Sequence, residues 1–134
     1  MDHKFLQDGM SAMSAGATTL TGWSLTILGA TIAGIVAGNF LRPTRFLRWI
    51  YLLFIPGWIF LGISIWNGDK VSRRLAAAGF TDNHETLRDI AALMNSDYIS
   101  QRLFFEFALL AFGCWLICLL FLWVFGKEEI SKAK

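Results

Sequence analysis

Few side chains in this sequence can do chemistry, and they stand far apart. Glu106 is the only ionisable residue inside a long apolar run, and a carboxylate within hydrocarbon is costly enough to mark a functional position by default. It follows Arg102 by four residues, a helical spacing that favours an ion pair at a membrane boundary. The alternative is a pore-lining group. Cys114 and Cys118 are one turn apart on one helix, a geometry unsuited to a disulfide, and no neighbouring histidine completes a zinc site with them. Both read as small packing residues. His3 and His84 lie outside the apolar runs, which excludes bis-histidine haem ligation within a bilayer. No phosphate loop, nucleophile elbow, metalloprotease motif or dinucleotide fingerprint occurs. The expectation is a non-enzyme with no catalytic residues, no metal site and no cofactor.

The elements that carry these residues follow from composition. The chain has 134 residues, 55% of them hydrophobic, 15% aromatic and only 16% charged, with a mean hydropathy of +0.51. Soluble domains carry roughly a quarter charged residues. The charges are also segregated: apart from Glu106 they fall in 2–8, 42–48, 69–102 and 127–134. This pattern excludes an ordinary globular enzyme, a disordered chain, a disulfide-stapled secreted module and a nucleic-acid binder with a basic face.

A bilayer core about 30 Å thick needs roughly 20 apolar residues in a helix, because each backbone polar group must be satisfied within the segment. Windows 20–40, 49–66 and 103–125 meet that need. The first is too long, and its flank with Asp2 and Asp8 too acidic, for a secretory signal, so it is expected to stay as a span. The fold class is an all-α integral membrane protein, one domain over 1–134, with three transmembrane helices and a short helical extramembrane loop over 67–102. In that loop Asn67 and Gly68 are expected to break the second span. Two short helices should follow, meeting near Gly79 and Asn83, the second opened by Asp82 and Glu85 at capping-box spacing. Its stripe of Leu87, Ile90, Ala91 and Met94 is expected on the membrane surface or a neighbouring subunit.

Orientation rests on the density of basic residues beside span ends. Arg42, Arg45 and Arg48 crowd the short loop after the first span, against Lys70, Arg73 and Arg74 on the opposite side. The expectation is an outer N-terminus and a cytoplasmic C-terminus in a bacterial inner membrane. Trp23, Trp66 and Tyr98 should mark one interface, and Trp49, Tyr51 and Trp123 the other.

The most specific pattern is in the first span. Gly22, Thr26, Ala30, Gly34 and Gly38 recur at intervals of four, with Gly29, Ala33 and Ala37 in the adjacent row. Lipid is as apolar as leucine, so helices within it associate through close backbone approach over small residues, and ridges spaced by four favour crossings near −40 to −50°. Such a ridge serves packing within the chain or between chains. Thr26 and Thr31 suit hydrogen bonds across the contact or a narrow wet path. Pro56 and Gly57 in the second span predict a kink, as a static bend or a gate.

Three spans with an outer N-terminus and a short charged tail resemble the layout of the phage holins, a likeness of topology that implies a homo-oligomeric pore and transfers no residue. Two functions are thus expected. One is a non-enzymatic small integral membrane subunit that assembles through helix packing into a homo- or hetero-oligomeric complex, with the lipid bilayer and other copies or other membrane subunits as partners. The alternative is a holin-like channel lined by Thr26, Thr31 and Glu106.

Overall fold

The computed structural model describes residues 3–36 and 49–125. Gly38, Arg42, Arg45, Arg48 and the tail from 126 onward lie outside the described residues. Helix α1 spans His3–Val36, a 3-10 turn spans Tyr51–Leu53, α2 spans Phe54–Ala78 and α3 spans His84–Phe125. The described residues are all-helical, and three helices are long and apolar enough to cross a membrane.

α1 tolerates its many small polar residues because their hydroxyls turn inward along the helix. Thr18, Thr19, Thr21, Ser24 and Thr26 each donate to the carbonyl one turn earlier at 2.8–3.0 Å, so these five hydroxyls keep a partner within the helix.

The segment 67–102 differs from the two separate short helices expected of it. α2 runs unbroken through Asn67 and Gly68 to Ala78, and α3 runs unbroken for 42 residues. Glycine's low propensity is overridden by packing: Gly68 is buried, and a Cβ there would lie 2.5 Å from both Gln101 Nε2 and Thr21 Oγ1. Within this segment the chain reverses between Gly79 and Asn83. Gly79 N–H donates to the Leu75 and Ala76 carbonyls at 3.3 and 3.1 Å. At the start of α3 the cap is Asn83 rather than Asp82, its Oδ1 accepting from Glu85 N–H at 3.0 Å.

The three helices pack on heptad-spaced seams. Met10, Ala17 and Ser24 are buried on α1; Phe54 and Leu61, with Gly57, Ser64 and Val71, on α2; Leu87, Met94, Gln101 and Ala108 on α3. Spacings of seven keep one face toward a partner, as in left-handed coiled coils. α1 and α3 run parallel with a constant offset, since Gln101 bonds Ala17 across 84 positions and Met94 shares a cluster with Met10. α2 runs antiparallel to both, pairing Trp58 with Thr31 at one end and Arg74 with Asp97 at the other. The stripe expected on a membrane surface or a neighbouring subunit is used inside the chain: Met94 joins Met10, Ala17 and Val71 in the core, with Ile90 and Ala91 against it.

Candidate functional site

Two features stand out on this bundle, a polar layer inside it and a small-residue face outside it. The polar layer centres on Gln101, whose side chain is fully buried. Its Nε2 donates to the Ala17 carbonyl at 3.0 Å and to Thr21 Oγ1 at 3.1 Å. Ser64 Oγ donates to the Gln101 carbonyl at 2.9 Å. Gln101 thus ties all three helices together at one level, α1 through its side-chain amide and α2 through its backbone carbonyl, while its Oε1 is buried with no partner among the described residues. Sequence reasoning missed this layer. The available signal was the polar residue in heptad register with Leu87, Met94 and Ala108.

Glycines admit the closest approaches, and again they are not those of the expected ridge. A Cβ on Gly16 would sit 2.7 Å from the Tyr98 hydroxyl, and one on Gly57 would sit 2.7 Å from the Phe112 ring. Tyr98, expected as an outward interfacial anchor, is half-buried against the core. Trp23 and Trp66 are exposed.

The predicted ridge lies on the far side of α1. Gly22, Thr26 and Ala30 are exposed, as are Gly29 and Ala33 in the adjacent row. A Cβ on Gly22 or Gly29 would meet nothing within 4 Å. At roughly 100° per residue these positions stand opposite the buried seam of Met10, Ala17 and Ser24. Gly34, at the edge of the ridge, is half-buried and borders a cleft of about 460 Å³ with Thr31, Tyr51, Phe112 and Trp115. Among the described residues no charged side chain lines this cleft.

The remaining expected site residues are dispersed. Pro56 falls in the first turn of α2, just after the 3-10 turn, where a missing N–H is least costly; its neighbour Gly57 makes room for Phe112. Arg102 Nε donates to Glu106 Oε1 at 3.0 Å, with both side chains more than half exposed. Thr31 Oγ1 accepts from Trp58 Nε1 at 2.9 Å and so serves contact between α1 and α2. Thr26 points away from that contact, and Glu106 is on another helix; the structure does not bring these three together.

Electrostatics concentrate at the end of the bundle where the chain reverses. Arg74 Nε donates to Asp97 Oδ2 at 2.6 Å between α2 and α3, with the two side chains 33% and 15% exposed. Arg73 and Asp69 pair at 2.7 Å along α2. Among the described residues no group of three or more His, Cys, Asp or Glu side chains is placed to hold a metal ion. Comparison with known proteins finds no matching family model, no matching curated protein and no matching solved structure. Function must therefore be argued from this geometry.

Proposed function

We propose that the protein is a non-enzymatic integral membrane subunit that assembles through the outer face of α1 into a homo- or hetero-oligomeric membrane complex. The observation that carries this reading is the exposed face of Gly22, Thr26, Gly29 and Ala33, continued by Ala30 at the mouth of the cleft, on which no other described helix packs. A helix face that meets only lipid gains nothing from being small, whereas a helix packed at that face gains dispersion contacts and backbone approach.

In this reading the apolar parts of α1, α2 and α3 cross the membrane. α3 is 42 residues long, about 63 Å, roughly twice the hydrocarbon thickness. Its polar half, with those of α1 and α2, forms a projecting stub around Met10, Val71 and Met94. Orientation is proposed from the arginines at 42, 45 and 48, with this stub and the N-terminus outside. The stub's apolar stripe is occupied within the chain, so the assembly surface is assigned to α1 alone. The channel alternative has less support, because Thr26 and Thr31 stand on different sides of α1 and Thr31 is held by Trp58.

The test is the pair of substitutions Gly22→Leu and Gly29→Leu in the full chain, followed by native mass spectrometry from nanodiscs and co-purification from native membranes. A Cβ at either position meets nothing within 4 Å among the described residues, so the fold should persist while the assembly disperses. An assembly of unchanged mass and composition would remove this face from the contact.

A further inference from the structure

We propose that His3 and His84 form a two-histidine site for a divalent transition metal, with zinc as its natural test ion, which staples the start of α1 to the start of α3. The sequence separates these residues by 81 positions, and nothing in their neighbourhoods links them. The parallel packing of α1 and α3 brings their imidazole rings to 5.4 Å between centroids, with the planes at 38°. Both residues are exposed, so an ion reaches them without any rearrangement of the core.

The centroid spacing is one that chelation allows. Zinc–nitrogen bonds of about 2.0–2.1 Å at a tetrahedral angle place two imidazole centroids about 5.2 Å apart. Linear coordination would place them above about 6 Å, so the observed separation suits a bent two-nitrogen chelate. Imidazole is a favoured ligand for zinc, copper and nickel, whereas hard cations such as magnesium and calcium prefer oxygen. The local charge suits a dication as well. Residues 3–8 and 82–89 contain Asp8, Asp82, Glu85 and Asp89 against Lys4 and Arg88, an excess of carboxylates that offsets the unfavourable end of the helix dipoles. Asn83 already caps α3 through the Glu85 N–H, which leaves the His84 ring free of a capping duty.

Because no third His, Cys, Asp or Glu joins the pair among the described residues, water completes the coordination. The metal then acts as a clasp. It holds α1 against α3 at the end of the stub, beyond Met10 on α1 and beside the buried Leu87 on α3. The proposal does not depend on the assembly reading, since both ligands belong to one chain.

The experiment uses the full chain in detergent, purified without a polyhistidine tag, and zinc chloride alone as the probe. Zinc should raise the melting temperature read by tryptophan fluorescence, and a chelator should reverse the rise. His3→Ala and His84→Ala should each abolish most of that rise and weaken zinc binding at least as much as outer-shell changes do, roughly 10- to 100-fold. Both residues are exposed, so the variants should fold and melt as the wild type does without metal. No rise in the wild type overturns the proposal. So does a rise retained in either variant: loss with His3→Ala alone would assign the metal to His3 and the backbone beside it, and loss with neither would assign it elsewhere.

Discussion

Replacing Gln101 with leucine tests whether the buried amide contributes stability or only alignment. The substitution nearly conserves volume and removes two hydrogen bonds, to the Ala17 carbonyl and to Thr21 Oγ1. At about 0.5–1.5 kcal/mol each, their loss costs about 1–3 kcal/mol. Neither partner is stranded, because Thr21 Oγ1 donates to the Ala17 carbonyl at 2.9 Å. On the other side, leucine removes Oε1, a buried acceptor with no partner, whose desolvation costs about 1–3 kcal/mol. The two contributions cancel to within about 1 kcal/mol, so Gln101→Leu should unfold at nearly the wild-type denaturant concentration. Gln101→Ala instead leaves a cavity between three helices and should cost about 2–4 kcal/mol, while Gln101→Glu should cost several kcal/mol by burying a carboxylate. Reversible unfolding in mixed micelles measures all three. A loss above about 3 kcal/mol for Gln101→Leu would show that Oε1 has a partner and that the layer is worth more than its pairs.

The glycine contacts predict a sharp contrast: Gly57→Ala and Gly16→Ala should destabilise by about 1–3 kcal/mol, since Phe112 and Tyr98 occupy the space a Cβ needs, whereas Gly22→Ala should leave monomer unfolding unchanged or slightly improved. The two ion pairs should differ in the same assay. Asp97→Asn, at the half-buried pair between α2 and α3, should cost about 1–2 kcal/mol, between the values for exposed and buried pairs; Glu106→Gln, at the exposed pair within α3, should cost about 0–1 kcal/mol and leave assembly intact. Topology is read by Asn83→Cys in a background with Cys114 and Cys118 replaced by alanine. An impermeant maleimide should label it in intact cells, and labelling only after permeabilisation would invert the proposed orientation.

The helical class and the three apolar runs were legible in the sequence because helix length and apolar composition are local properties. The sequence did not carry the course of the chain between 67 and 102. Asn67 and Gly68 look like a break when judged by propensity, and they are helical because Gly68 is where Gln101 and Thr21 approach α2. The Leu87 to Met94 stripe was visible, yet its partner was not, since Met10 and Ala17 lie in a stretch of α1 whose small and polar residues hide the heptad. The small-residue ridge was equally visible as a pattern. Only the bundle reveals that its members at 22 and 26 face away from the other described helices, while those at 30 and 34 border the cleft. The pairing of His3 with His84 was invisible, because it depends on α1 and α3 running parallel in a fixed register.

Assembly as proposed requires a second helix packed on the outer face of α1. Site-specific photocrosslinking in native membranes addresses it directly, with a photoreactive residue placed in turn at Thr26, Ala30, Ile59 and Phe121. Ile59 and Phe121 are exposed apolar positions on α2 and α3 and report contact with lipid. Protein adducts of defined mass should form from Thr26 and Ala30 and not from Ile59 or Phe121. Adducts from Ile59 or Phe121 with none from Thr26 and Ala30 would contradict the assignment of the assembly face, and adducts from no position would contradict assembly itself.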